Sequence, residues 1–418
     1  MSATRARDFD LIIVGGGVSG VALASLLVAR HVCSSDRVAV VADRTAGAAA
    51  PDADWDLRVF ALSRASQRLL QAAGIWNRLP PQRVSAYERM CVWDAEGAPD
   101  GAGSLQFDCA QIGEPNLGHI VEGRALQWQC WQAARSAGVA LIEGSLSSIV
   151  VDDDQVTVRL EDGRELRAKL LVAADGTDSK SRELLQIGSA GHSYHQDALV
   201  AHVRTTRPHQ NTAWQRFLNT GPLAFLPLSD GRSSIVWSAS RPRAAELRAM
   251  ESQALGAAIT SASGEALGEC VVTTPVASFP LKLQYALEYV RPRVALVGDA
   301  AHVVHPLAGQ GLNLGLLDCA TLTQVLSESG GAANFGDYSV LRRYERWRRS
   351  ENLLAAGALD GLERLFTNAD PLSAGLRVAG LNAVSKLPFL KQGFARRALG
   401  LAGDVPEFLR GDPVSPRR

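Results

Sequence analysis

One stretch near the N-terminus limits what this chain can fold into. Residues 9–14 form a short apolar run that ends in Gly15-Gly16-Gly17-Val18-Ser19-Gly20. A helical pattern follows over 18–30, and a second apolar run over 38–41 stops just before Asp43. Strand, G-x-G-x-x-G turn, helix and strand make a βαβ unit with the dinucleotide-binding fingerprint. Gly15 permits the tight turn, Gly17 lets the backbone approach a pyrophosphate, and Gly20 lets helix and strand pack closely. The helix start then offers unpaired N–H groups and partial positive charge to phosphates. Asp43 is the candidate acid for the adenosine ribose. It falls slightly late, Ala42 stands in the usual slot, and a plain surface acid is the competing reading.

The chain's 418 residues correspond to about two ordinary domains' worth of sequence. Lys+Arg and Asp+Glu are 43 each, so the formal charge is zero. That argues against nucleic acid as the main partner, because neutralising phosphates needs a basic excess on the binding face, and it leaves room only for a local basic patch. No apolar run approaches the roughly 20 residues that span a bilayer. Six cysteines lack metal or CxxC spacing. They are expected as buried thiols in a reducing, cytoplasmic setting.

Helices are expected over 62–74 and 124–137, and strands over 84–94, 103–107, 139–143, 146–151, 156–160 and 170–174. From about 195 to 285 the pattern turns β-rich, with strands at 199–204, 213–218, 223–228 and 234–240 and one helix at 242–260. A buried strand at 294–297 and a helix at 312–327 follow, and 338–402 reads as mostly helical. The nucleotide-binding pattern thus returns after a β-rich insertion. The fold class is α/β: a three-layer dinucleotide-binding domain with a parallel sheet, interleaved with a second, β-sheet domain, then a helical C-terminal region. The segments are 1–78, 111–185 and 286–340 for the first, 79–110 and 186–285 for the second, and 341–418 for the third.

Two further motifs carry chemistry. Leu171-Val-Ala-Ala-Asp175-Gly176-Thr-Asp-Ser179-Lys-Ser181-Arg182 is a strand running into Asp-Gly, where Asp175 also suits a plain turn. Val297-Gly298-Asp299-Ala300-Ala301-His302-Val-Val-His305-Pro306-Leu-Ala-Gly309-Gln310-Gly311-Leu312-Asn313 is the more specific. Asp299 at a strand end can accept from ribityl hydroxyls. The N–H groups of Gly311, Leu312 and Asn313 can face a flavin's pyrimidine edge and stabilise negative charge there. Pro306 cannot donate and suits a dry wall beside the ring.

In this order and spacing the three motifs resemble the FAD-dependent aromatic hydroxylases, the class A flavoprotein monooxygenases. Within that class the chain resembles the ubiquinone-biosynthesis hydroxylases of bacteria and mitochondria. Arg58-Val-Phe-Ala-Leu-Ser63, His119-Ile-Val-Glu122, Trp214-Gln-Arg-Phe217, Gly221-Pro-Leu-Ala-Phe-Leu-Pro227, Ser278-Phe-Pro-Leu281, Gly309-Gln-Gly-Leu-Asn-Leu-Gly-Leu-Leu-Asp318 and Leu387-Pro-Phe-Leu-Lys391 carry this narrower likeness, over essentially the whole chain. Two departures are the displaced acid at Asp43 and Gly123, where the family often has Asn or Asp.

The resemblance implies FAD as cofactor and NAD(P)H and dioxygen as co-substrates. It implies a flavin C4a-hydroperoxide that hydroxylates the ring of a prenylated phenol or quinone precursor. It places Arg58 near flavin and nicotinamide, Arg124 at the FAD phosphate or ribityl region, and Asp175 and Gly176 at both FAD and NAD(P)H. A catabolic hydroxylase of small polar substrates, or a flavin-binding subunit without turnover, are the rival readings. The first predicts Arg or Tyr on the 195–240 sheet. Phe217, Leu223, Phe225 and Trp237 are the candidate substrate contacts on that sheet. His302 and His305 read better as packed supports of the flavin loop than as acid–base groups, and as no metal site. Segment 371–403 holds five basic residues and no acid. It suits docking to the inner-membrane surface or to sister biosynthetic proteins, against packing on its own core. Self-association into a homo-oligomer is left open.

Overall fold

The computed structural model describes residues 7–43, 54–101, 103–305, 309–367 and 387–410. At its centre lies a six-stranded sheet in the order Val290–Arg291, Val294–Leu296, Leu170–Ala173, Leu11–Val14, Val38–Ala42 and Ala140–Glu143. All its pairings are parallel except the first, an antiparallel edge hairpin. Leu11–Val14 and Leu170–Ala173 are buried throughout, as expected of strands covered on both faces. Val18–Ala29, Gly123–Ser136 and Gln310–Ser327 pack on one face in the largest core cluster. A four-stranded sheet that includes Leu146–Val151, Val156–Leu160 and Glu165–Ala168 closes the other through Val156, Val158 and Leu160.

A nine-stranded sheet forms the second layer system. Its order is His302–Val303, Ala277–Ala286, Ser189–Thr205, Ser233–Ser240, Gly221–Pro227, Thr212–Leu218, Arg89–Asp94 and Ser104–Asp108, with Cys270–Val272 also pairing to Ser189–Thr205. Two helices, Arg241–Ala249 and Ser252–Ser263, cover one face. The single helix expected over 242–260 is therefore broken: Met250 is extended and Glu251 starts the second helix. The strand expected over 84–94 is also two. Val84–Tyr87 pairs with Gly118–Glu122 in a small three-stranded sheet, while Arg89–Asp94 joins the nine-stranded one. The C-terminal region contributes the long helix Tyr338–Thr367 and the shorter Pro388–Ala398. All six cysteines are buried and unbridged. Among the described residues no helix is long and apolar enough to cross a membrane.

Candidate flavin and substrate site

A cavity of about 1640 Å³ begins at the carboxyl ends of the parallel strands and runs onto the uncovered face of the nine-stranded sheet. Gly15, Gly17, Asp43, Arg58, Asp175, Gly176, Asp299, Gly311, Leu312, Asn313 and Phe217 all line it.

The first turn is built to stay bare. Gly15 has φ +126°, and a Cβ there would stand 2.2 Å from the Ala174 carbonyl oxygen. Gly20 does not reach the cavity; a Cβ on it would stand 2.4 Å from the Gly15 oxygen, so it serves close helix packing. Gly17 caps the Val18–Ala29 helix without a side-chain bond, and a Cβ on it would meet nothing within 4 Å. Open space before uncapped N–H groups is what a pyrophosphate needs. The Gly16 carbonyl accepts from both Gln127 Nε2 and Trp131 Nε1 at 3.2 Å, which fixes the turn from behind.

Asp175 spends both carboxylate oxygens on its own loop. One accepts from Ser179 Oγ at 2.5 Å, the other from the Ser181 N–H at 2.8 Å. Arg182 ties this loop to the third motif, donating to the carbonyls of Thr177 and Ala300. Asp299 is exposed toward the cavity and has no partner among the described residues. Gly298, immediately before it, is held at φ +59° and donates to Asp318 Oδ2 at 3.0 Å. Asn313 is fully engaged within the protein. Its Oδ1 accepts from Ser63 N–H and Ser66 Oγ, and its Nδ2 donates to the Ala61 and Gly309 carbonyls. That leaves its backbone N–H, with those of Gly311 and Leu312 in a first turn without a side-chain cap, as the groups a ligand could meet. An exposed acid at one end and free N–H groups at the other fit a flavin's ribityl chain and pyrimidine edge. Arg58 lies at the cavity wall, its guanidinium 5.0 Å from the Phe60 ring centre.

Not all of the candidate residues face the cavity. Arg124 is not at the cavity wall; its guanidinium stands 4.0 Å from Asp56. Gly123 explains the local departure in sequence, since a Cβ there would lie 2.7 Å from the Arg58 oxygen. Leu223, Phe225 and Trp237 point away from the cavity, into the core beneath the two covering helices with Leu247, Leu255 and Ile259. Ala198, Val200, Ala213, Gln215, Ala224, Leu226, Val236 and Ser238 line the cavity instead. Phe217 does reach it, stacked 3.9 Å from Phe366 of the long C-terminal helix. Pro306 lies outside the described residues.

His302 and His305 are both buried and neither lines the cavity. His302 Nε2 lies 2.6 Å from Asp318 Oδ2, and His305 packs edge-on against Tyr194. Burial holds the His305 pKa down to about 4, so it is neutral near pH 7. Among the described residues no His, Cys, Asp and Glu cluster suits a metal.

Sequence reasoning missed Asp318. Fully buried, it accepts from Gly298, His302, Arg348 Nε (2.8 Å) and Asn352 Nδ2 (3.1 Å). Burial pushes its carboxyl up, but the neighbouring His302 and Arg348 charges and hydrogen bonds outweigh that and bring it down to about 2. Only its place in the Gly309–Asp318 run could have flagged it, because its partners lie as far off as position 352.

The family described as the FAD binding domain matches residues 8–351. The chain is 37% identical over 398 residues to the 3-demethoxyubiquinol 3-hydroxylase of Escherichia coli (strain K12), covering 94% of this chain and 98% of the relative. It is 35% identical to the ubiquinone hydroxylase UbiL of Rhodospirillum rubrum, covering 97% and 93%. The fold matches the crystal structure of p-nitrophenol 4-monooxygenase PnpA from Pseudomonas putida DLL-E4 with a TM-score of 0.72 at 18% identity, covering 98% of this chain and 100% of the other. With the bare first turn, the exposed Asp299 and the uncapped helix converging on one cavity, these matches make the chain a member of the FAD binding domain family, a FAD-dependent monooxygenase of the group that contains the ubiquinone-biosynthesis hydroxylases.

Proposed function

We propose that the protein uses NAD(P)H and dioxygen to hydroxylate the aromatic ring of a prenylated phenol or quinone precursor in ubiquinone biosynthesis. The observation that carries this is the cavity's apolar extension. From the flavin cradle it continues over Ala198, Val200, Ala213, Ala224, Leu226 and Val236 to a wall of Leu359, Leu362, Leu365 and Phe366. No arginine or lysine of the nine-stranded sheet's floor strands lines it; Arg216 points to the opposite face and donates to the Ala262 and Ala95 carbonyls. That disfavours a small carboxylated substrate, which needs a buried cation.

Bound FAD supplies hydride acceptance and oxygen activation. The chain's own part is placement and dryness. Gly15 and Gly17 with the Val18–Ala29 helix start hold the pyrophosphate. Asp43 stands at the second strand's end as the ribose candidate. Asp299 holds the ribityl hydroxyls, and the first turn of Gln310–Ser327 stabilises negative charge at the ring. Arg58 and the Asp175-Gly176 loop offer the nicotinamide its approach. The apolar walls exclude water. In this reading 1–78, 111–185 and 286–340 carry the cofactor, 79–110 and 186–285 the substrate, and the described helices of the C-terminal region 341–418 close the cavity.

A lipid-tailed substrate must be met at the membrane or handed over by a carrier. Leu354, Leu362, Leu365 and Phe394 are 41–57% exposed and also line the cavity, forming an apolar rim suited to either encounter. The basic segment supports docking less well. Residues 371–386 lie outside the described residues. In the rest, Arg397 pairs with Glu351 at 2.8 Å and Lys391 lies 5.9 Å from the Phe107 ring centre.

The test is single-turnover hydroxylation of a short-chain prenylphenol under isotopically labelled dioxygen. One labelled oxygen in the product is expected; label arriving from water overturns the assignment. Asp299→Ala should lose FAD while staying folded.

A further inference from the structure

We infer that Gln215 and Ser238 form a two-point recognition site for oxygen substituents on the substrate ring, and so decide which ring carbon meets the flavin. The inference rests on the proposed hydroxylation and specifies how that site reads its substrate.

Strand register defines the cavity floor. Ala198 pairs with Ser238, Val200 with Val236, Gln215 with Ala224, Phe217 with Pro222, and Ala224 with Val236. Side chains alternate along a strand, so these residues share one face. Gln215, Ala224, Val236 and Val200 make one rung. Phe217, Pro222, Ser238 and Ala198 make the next. All eight line the cavity.

Six of the eight are apolar. Gln215 and Ser238 are 5% and 2% exposed, and neither side chain has a hydrogen-bond partner among the described residues. An amide and a hydroxyl that open onto an otherwise apolar wall are the points at which a ligand oxygen can hydrogen-bond. Both groups donate and accept, so they suit a phenol hydroxyl or an ether oxygen and need no charge on the ligand.

Their spacing fits one ring. Gln215 and Ser238 are two strands and one rung apart, which places their backbones about 12 Å from each other. A six-membered ring with oxygens at opposite ends, hydrogen-bonded at each end at about 2.8 Å, spans on the order of 11 Å. The diagonal between them crosses the central strand between Pro222 and Ala224, where neither side chain is bulky. A ring can therefore lie flat there, with its prenyl tail running out along the apolar wall.

The experiment uses FAD-loaded protein and two probes, 2-geranyl-4-methoxyphenol and geranylbenzene, which differ by a phenol and an ether oxygen at opposite ends of the ring. Binding is read from the change in flavin fluorescence. Wild type should prefer the phenol by about tenfold, the scale of well-made neutral hydrogen bonds. The double variant Gln215→Leu/Ser238→Ala should bind both probes equally, with its Kd for geranylbenzene unchanged. Should that variant fail to hold FAD, Gln215→Met and Ser238→Ala are read singly, each expected to lose about threefold of the preference. A double variant, or both single variants, that keep the wild-type preference overturn the inference. Wild-type protein that binds both probes equally also overturns it and leaves the hydroxylase assignment standing. FAD-loaded wild type that binds neither probe overturns both.

Discussion

Asp318→Asn isolates the contribution of a buried charge behind the flavin loop. Asp318 and Arg348 are 0% and 2% exposed, and the aspartate accepts four hydrogen bonds from three separate elements. Asparagine keeps the shape but turns one acceptor oxygen into a donor. Either the Gly298 N–H and His302 or the Arg348–Asn352 pair then meets the wrong group, and the Arg348 charge loses its counter-ion. Breaking a buried pair from one side costs about 3–5 kcal/mol. Unfolding entropy is about 2.1 cal/mol/K per residue, so over 418 residues the melting temperature should fall by about 3–6 °C. The carboxyl's pKa is depressed, so its stabilisation is present above the ordinary aspartate value and is lost only as pH falls toward 2. The penalty should therefore be constant from pH 5 to 8. Circular dichroism gives the melting point, and flavin fluorescence gives FAD release from the same sample. Asp318→Asn/Arg348→Met should recover part of the loss, because no unpaired charge remains buried. A double variant as unstable as the sum of the two singles refutes the ion-pair argument. An unchanged FAD affinity in Asp318→Asn refutes the link through Gly298 to Asp299.

Gly20→Val forces the first helix off its strand, so FAD affinity should fall at least about tenfold in equilibrium dialysis, since even a Cβ would stand 2.4 Å from the Gly15 oxygen. Phe366→Ala removes the ring stacked on Phe217 and opens the cavity wall; it should cost up to about 3 kcal/mol and raise the peroxide formed per NAD(P)H consumed. His119, His202 and His305 are held down to about 4 by burial first. The unfolded chain binds protons below about 6.5 that the folded chain refuses, so stability should fall as pH drops from 6.5 toward 4, by at most about 1.4 kcal/mol per pH unit for each histidine. Urea midpoints at pH 7, 6 and 5 read this slope, and His202→Gln should remove about a third of it.

The cofactor half of the site was legible because its chemistry is local. A bare turn needs glycines at fixed spacing, and an acid at a strand end is adjacent to the motif it serves. The substrate half was not, for a physical reason. Strands of the nine-stranded sheet are apolar on both faces, one against helices and one against the cavity. Leu223, Phe225 and Trp237 lie on the same strands as the residues that face the cavity, and an apolar strand does not show in its sequence which of its two faces meets helices. Large side chains fill closed cores, whereas a face kept open for a ligand carries small ones such as Ala198, Ala213 and Ala224. The break at Met250 was invisible because neither glycine nor proline marks it. Asp318 was invisible because its meaning lies in partners on other elements.

The interleaving of the chain has a mechanical consequence. Ser189–Thr205 follows the Lys180–Leu184 helix of the second motif almost directly, and the chain returns through Ala277–Ala286 to the third. The third motif is itself the last strand of the floor sheet, since Gln284 pairs with Val303 and Tyr285 with His302. His302 in turn bonds Asp318, which holds Gly298 beneath Asp299 on one side and Arg348 of the long helix on the other. That helix carries Phe366, which closes the cavity over Phe217. Floor, cofactor loop and closing wall therefore share one continuous set of hydrogen bonds. A displacement of the floor's edge strand would therefore reach both the flavin loop and the closing helix through His302 and Asp318.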